Sequence, residues 1–154
     1  MSNLSLPQFG QHEQRLLQQR SVWQTPANEH HVADLVDRHS RPAPTLYRGI
    51  PVSEHRNYFD PTSTKVGDRL HLPVSSFTED RDTAADFAHG DPDEHGHAYT
   101  PVMLRVKGAQ GTPTHHVSNM PWEKEWLSRG QFEVTKISRD EEHDIPHVFH
   151  LQQR

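Results

Sequence analysis

The chain has 154 residues, a length that suits one compact domain. Its formal net charge is −5, from 16 Lys and Arg against 21 Asp and Glu, and no basic block stands out, so a large nucleic-acid footprint is not predicted. It has no cysteine, which excludes disulfides, thiolate nucleophiles and thiolate zinc sites. No apolar stretch reaches the length of a membrane span, and the N-terminus lacks a secretory signal pattern, so we expect a soluble protein without a membrane partner.

Two helices are predicted near the N-terminus. Residues 11–24 carry apolar side chains among glutamines, a weak helical pattern. Residues 27–40 place three apolar side chains at helical spacing, and Asn28 is a candidate cap. The prolines of 41–44 then end this helix.

The rest of the chain is predicted to be mostly strands. One helix interrupts them at 81–90, with Asp80 as its cap and Gly90 as its stop. The segments 91–99 and 109–121 are interpreted as a polar loop and an irregular connection. Strands are predicted within 45–50, 65–80, 100–108, 122–128, 131–140 and 144–154, and the pair 122–128 and 131–140 is expected to form a hairpin about a turn at Arg129-Gly130. Helices followed by strands indicate the α+β class.

Three short motifs stand out in the strand-rich part. Arg48 lies in Leu-Tyr-Arg-Gly, Ser76 opens Ser-Phe-Thr, and Glu123 and Glu125 flank one lysine. In this order and spacing they resemble the R-S-E class of mono-ADP-ribosyltransferases over about residues 44–136. That class includes bacterial toxins, effectors and phage enzymes. The chain departs from the usual pattern at Phe77, where a small residue is common, and at Ser128, where proline is common.

The resemblance implies a role for each motif residue. NAD would be bound through Arg48, Gly49, Ser76, Thr78 and Glu125. The Arg48 guanidinium suits a phosphate, and the Glu125 carboxylate would stabilise the charge that develops on the ribose as nicotinamide leaves. Ser76 would hold the Glu125 side chain by a hydrogen bond, and Thr78 would support the same strand.

Glu123 is assigned to the acceptor. If 122–128 is a strand, residues two apart point to the same face, so Glu123 and Glu125 would face one cleft while Trp126 faces away. By the resemblance, glutamate at the upstream position goes with arginine as acceptor, and a carboxylate can orient a guanidinium. Trp122 is a candidate contact to the acceptor. We therefore expect Arg48, Ser76, Glu123 and Glu125 to carry catalysis, with a target protein that bears the arginine as partner.

The implied fold is two packed, mainly antiparallel sheets with an NAD cleft between them. Residues 1–154 would form a single catalytic domain, with helices in 1–43 and the strand-rich core in 44–154. Phe77 and Phe87 are interpreted as core residues rather than nicotinamide platforms. An enzyme of this kind would act in its own cytoplasm or be delivered into a target or host cell by a leaderless route.

Three other functions share these residues. An NAD glycohydrolase would use water as acceptor, and nucleic acid is a less favoured acceptor because of the acidic net charge. A non-catalytic NAD-binding module is disfavoured because all three signature residues are present. The histidines at 30–31, 115–116, His89, His95 and His97 lack a diagnostic ligand spacing, so no metal is expected.

Overall fold

The computed structural model describes residues 6–18, 26–52, 60–90, 100–118 and 120–154. Within them are three α-helices, α1 (Gln11–Gln18), α2 (Pro26–Arg38) and α3 (Arg81–His89). None of the three is long and apolar enough to cross a bilayer. α1 occupies the first part of the helix predicted at 11–24. The rest of that predicted helix and the predicted loop at 91–99 lie outside the described residues.

The helix α2 begins earlier than predicted. Its first residue is Pro26, so Asn28 lies inside the first turn and is not the cap. Proline favours this first position because its fixed φ angle suits a helix and the N–H that it lacks has no partner there. The helix α3 has the predicted ends, since the Asp80 side chain accepts from the N–H of Asp82 and Gly90 follows its last turn.

The strands form one sheet that closes on itself. The order is β1-β5-β6-β3-β2-β4-β7, and β6 also pairs with β7. All pairings are antiparallel except the one between β4 and β7. The expected two separate sheets are therefore joined into a closed, mainly antiparallel sheet. The strands are β1 (Arg41–Pro42), β2 (Leu46–Val52), β3 (Arg69–Thr78), β4 (Thr100–Val106), β5 (Gln110–Pro113), β6 (Glu125–Asp140) and β7 (Ile145–Gln153).

The segment 122–140 differs most from its prediction. A short 3₁₀ helix occupies Pro121–Glu123, and Lys124 follows in the left-handed region with φ 50°. β6 then continues through Gly130 for 16 residues, so the predicted hairpin turn at Arg129-Gly130 is wrong. Gly130 has φ 121° and lies opposite Leu72 of β3. Cross-strand pairing therefore overrides the local turn signal, and the glycine lets the backbone take this strained angle within the strand.

Two apolar clusters pack against the sheet. One joins α1 and α2 to β6 through residues that include Leu17, Leu35 and Leu127. The other joins α3 to β4 and β7 through residues that include Ala84, Ala88 and Met103. The helices thereby flank the place where β2 and β3 meet, and these two strands share only the pair Tyr47 and Thr78.

Candidate active site

A cavity of about 400 Å³ opens beside the single β2–β3 pair. Its walls come from α1, β2, β3, α3, the 3₁₀ helix and the start of β6. Six predicted site residues line it, namely Arg48, Gly49, Ser76, Thr78, Glu123 and Glu125. The structure thus brings three distant motifs to one cavity.

Glu125 is held at both carboxylate oxygens. The Ser76 hydroxyl donates to Oε2 at 2.6 Å, and the Thr114 hydroxyl donates to Oε1 at 2.8 Å. Glu125 is the first residue of β6 and only 8% of it is exposed. A carboxylate with two short hydroxyl bonds is fixed in orientation, and the bonds offset part of the cost of its burial.

Arg48 is joined to the same serine. Its Nη1 donates to the backbone carbonyl of Ser76 at 2.8 Å. Backbone pairing between β2 and β3 is confined to Tyr47 and Thr78, so the guanidinium bonds the next strand where the ladder has ended. Ser76 therefore contacts both charged motif residues, since its carbonyl accepts from Arg48 and its hydroxyl donates to Glu125.

Glu123 lines the cavity from a 3₁₀ helix and not from the predicted strand. It lies on the 3₁₀ helix, so the same-face argument for residues two apart on a strand does not apply to it. The left-handed Lys124 turns the chain between the two glutamates. The Thr78 hydroxyl fixes this turn by donating to the Glu123 carbonyl at 2.6 Å, and it also accepts from the N–H of Asp80 at 2.9 Å.

Gly49 allows α3 to approach β2 closely. A Cβ at this position would lie 1.9 Å from the Ala84 carbonyl oxygen and 2.5 Å from the Ala88 nitrogen. Only a residue without a side chain fits such an approach. The helix is thereby seated beside Arg48.

The aromatic residues divide between core and cavity. Phe77 is 2% exposed and belongs to the core, as predicted. Phe87 is 52% exposed and lines the cavity, so the interpretation as a core residue is wrong. The alanines of α3 pack against the sheet, while Phe87 lies on the part of the helix that borders the cavity. Trp122 is 69% exposed and is not among the residues that line the cavity.

Several lining residues lie outside the predicted site motifs. Leu17 and Gln18 come from α1, and Ser118 and Met120 come from the connection before the 3₁₀ helix. Gln18 also binds that connection, since its Nε2 donates to the Val117 carbonyl at 2.6 Å. No motif marks these positions, which come together through the packing of α1 against β6 and the bond from Gln18 to the connection.

A carboxylate and histidine cluster lies away from the cavity. Among the described residues, Asp140, Glu142 and His143 offer ligand atoms within 4.8 Å of one another. His143 bonds Asp82 and Asp140, which raises the pKa of its imidazole, while Arg81 pairs with Asp140 and Glu142. The guanidinium already neutralises these carboxylates, and the arrangement is accounted for as an ion-pair network.

Comparisons with known proteins give structural matches alone. No family model matches the sequence, and no curated protein matches it. The Vis toxin of Vibrio splendidus, an ADP-ribosyltransferase solved in complex with agmatine, has a TM-score of 0.68 at 16% identity and covers 97% of this chain and 77% of its own. The chain has the ADP-ribosyltransferase fold.

Two further structures agree. The ADP-ribosyltransferase HopU1 of Pseudomonas syringae has a TM-score of 0.54 at 20% identity, covering 82% of this chain and 52% of its own. Exoenzyme S of Pseudomonas aeruginosa, in complex with human 14-3-3 protein beta and bound to Carba-NAD, has a TM-score of 0.58 at 16% identity, covering 91% and 64%. The chain therefore spans about half to three quarters of these structures.

Proposed function

We propose that this protein cleaves the nicotinamide bond of NAD and transfers ADP-ribose to arginine side chains of a target protein. The observation that carries the proposal is the hydrogen-bonded set of Arg48, Ser76 and Glu125 at one cavity of an ADP-ribosyltransferase fold. Residues 1–154 then act as a single catalytic domain.

Glu125 suits the bond-breaking step. Cleavage of the nicotinamide bond leaves positive charge on the ribose, and a fixed carboxylate close by stabilises that charge. Its burial and its two hydroxyl partners orient it before substrate arrives. The nicotinamide leaves as a neutral molecule, so the step needs no metal and no proton donor.

Arg48 suits the phosphates of NAD. Its planar guanidinium gives charged donors in a fixed geometry, and Ser76 holds it at the cavity wall. Gly49 and Thr78 line the same wall. The Carba-NAD bound to exoenzyme S supports NAD as the co-substrate of this fold.

Glu123 suits a guanidinium acceptor. It lines the cavity with Glu125, and a carboxylate can pair with an arginine side chain and help to remove its proton. The agmatine in the Vis complex carries a guanidinium group, which supports this class of acceptor. The exposed Trp122 next to Glu123 offers apolar surface to a target protein.

The first test compares two glutamates of β6. Glu125→Gln is expected to lower the rate of nicotinamide release from NAD by about 10²–10³-fold, because the transition state loses its counter-charge. Glu133→Gln is the matched control, since Glu133 lies on the same strand, pairs with Arg69 and Arg154 and does not line the cavity. Full activity of a folded Glu125→Gln protein would refute the assignment.

The acceptor is tested with labelled NAD, agmatine and a cell lysate. Glu123→Gln should abolish labelling of agmatine and lysate protein while nicotinamide release into water continues. Nicotinamide release by the wild type without any labelled protein or agmatine would instead indicate a glycohydrolase or a nucleic-acid acceptor. NAD binding without any release would indicate a non-catalytic module.

A further inference from the structure

We propose that Thr114 is a positioning residue for Glu125, a role that rests on the proposed function. Thr114 holds Oε1 of the carboxylate while Ser76 holds Oε2. The sequence motifs assign only Ser76 as a hydrogen-bond partner of the Glu125 carboxylate, and Thr114 lies outside those motifs. The structure therefore adds a second clamp on the opposite side of the same carboxylate.

The geometry at Thr114 is that of a specific contact. The residue is 1% exposed, and its hydroxyl lies 2.8 Å from Oε1 but 3.5 Å from the Glu125 carbonyl. Its backbone N–H already donates to that carbonyl at 3.0 Å. The hydroxyl hydrogen is thus directed to the carboxylate, where a buried donor finds its partner.

Two bonds do what one cannot. The terminal torsion of a glutamate is broad and weakly restrained by itself. The bond from Ser76 restrains one carboxylate oxygen, and the bond from Thr114 restrains the other, so the two together limit rotation about this torsion. The plane of the carboxylate is then set before the ribose arrives, which is the condition for electrostatic stabilisation without reorganisation.

Thr114 also begins the segment that forms part of the cavity wall. Its carbonyl accepts from the N–H of Val117 at 3.0 Å, and the Val117 carbonyl accepts from Gln18 at 2.6 Å. Ser118, next in the chain, lines the cavity. Thr114 therefore contacts both the Glu125 carboxylate and the segment that forms this part of the cavity wall.

Thr112 supplies a matched control. It lies two residues earlier, is also 1% exposed, and its hydroxyl donates at 2.7 Å to the Val36 carbonyl of α2. Replacing either threonine by valine removes one buried hydroxyl bond at nearly constant volume. Only the Thr114 replacement removes a bond to Glu125.

The experiment measures nicotinamide release against NAD concentration for the wild type and the variants. Thr114→Val is expected to lower kcat roughly 10–100-fold with KM changed less than about threefold, because the lost bond to a charged group acts in the transition state. Thr114→Ser should stay within about fivefold of the wild type. Thr112→Val should lower the melting temperature and leave kcat within about twofold. Thr114→Val combined with Ser76→Ala should lose less than the product of the separate losses, because both residues hold one group.

The outcomes separate this inference from the proposed function. A wild type that releases no nicotinamide overturns both. An active wild type with unchanged kcat in Thr114→Val, or equal losses in Thr114→Ser and Thr114→Val, overturns the role of Thr114 alone. If Thr114→Val does not fold, Thr114→Ala carries the same test, with thermal unfolding as the check that it is folded.

Discussion

At the scale of single residues, the sequence predicted where the charged motif residues lie, and it predicted only part of the contacts that hydroxyl groups make with them. Arg48 and Glu125 stand in motifs whose spacing is distinctive, and both line the cavity. Thr114 resembles any threonine of a connecting segment. Its partner Glu125 lies 11 residues away at the start of β6, and the pairing of the end of β5 with β6 brings the two together.

The close approach of α3 to Gly49 leaves no room for a side chain at this position. Gly49→Ala is expected to lower the free energy of unfolding by about 1–3 kcal/mol, because the new Cβ would meet the backbone of α3 at Ala84 and Ala88. It should also weaken NAD binding, since the displaced helix borders the cavity. Urea unfolding and NAD titration measure the two effects. Gly10→Ala is the control, because its Cβ would meet no atom nearer than 3.6 Å. Equal stability of the two variants would contradict the close approach.

At the scale of elements, boundaries set by local chemistry were predicted and those set by distant pairing were not. Asp80 and Gly90 bound α3 as expected, because a capping carboxylate and a terminal glycine act within a few residues. The turn expected at Arg129-Gly130 fails because Gly130 pairs with Leu72, which is 58 positions earlier in the chain. No local pattern encodes such a partner.

Asp80 caps the N-terminus of α3 and should contribute to the stability of the fold. Asp80 accepts from the N–H of Asp82 at 3.1 Å and from the Thr83 hydroxyl at 2.9 Å. Asp80→Ala is expected to cost about 0.5–2 kcal/mol in the free energy of unfolding at pH 7. The bond from Thr83 lowers the pKa of Asp80 below its ordinary value of 3.8, so this contribution is present above that value and is lost as the pH falls through the lower folded pKa.

The control for the cap lies on the same helix. Asp86 is exposed and close to the C-terminal end of α3, where a negative charge is unfavourable. Asp86→Ala should therefore be neutral or slightly stabilising in the same chemical unfolding experiment. A loss as large as that of Asp80→Ala would show that the cap is not the cause.

At the scale of the whole molecule, the α+β class followed from the order of helices and strands, but the closure of the sheet did not. Closure depends on β7, which runs parallel to β4 and antiparallel to β6. Each strand shows its own apolar pattern, and none of these patterns specifies its neighbours. The cavity exists because β2 and β3 share a single pair within this closed sheet, so its position was beyond the reach of periodicity.

The His143 side chain links α3 to the end of β6. It bonds Asp82 of α3 at 2.6 Å and Asp140 at the end of β6 at 2.9 Å. The hydrogen bond to Asp82 has the larger effect and the bond to Asp140 the next, and both raise the pKa of His143 above its ordinary value of 6.5. The positive charge of Arg81 opposes this rise. His150 behaves in the opposite way, because burial and then Arg105 lower its pKa.

The raised pKa of His143 makes its contribution to stability largest at low pH. A raised pKa means that the folded state binds the proton more tightly, so the contribution of His143 is complete below pH 6.5 and is lost as the pH rises through its folded pKa. His143→Asn should therefore be less stable than the wild type at pH 5.5, and the difference should shrink by pH 8.5. His150→Asn should gain relative to the wild type as the pH falls below 6.5, because folding no longer disfavours a proton there. Urea unfolding across this range measures both differences, and a His143→Asn difference that grows with pH would contradict the network that joins α3 to the end of β6.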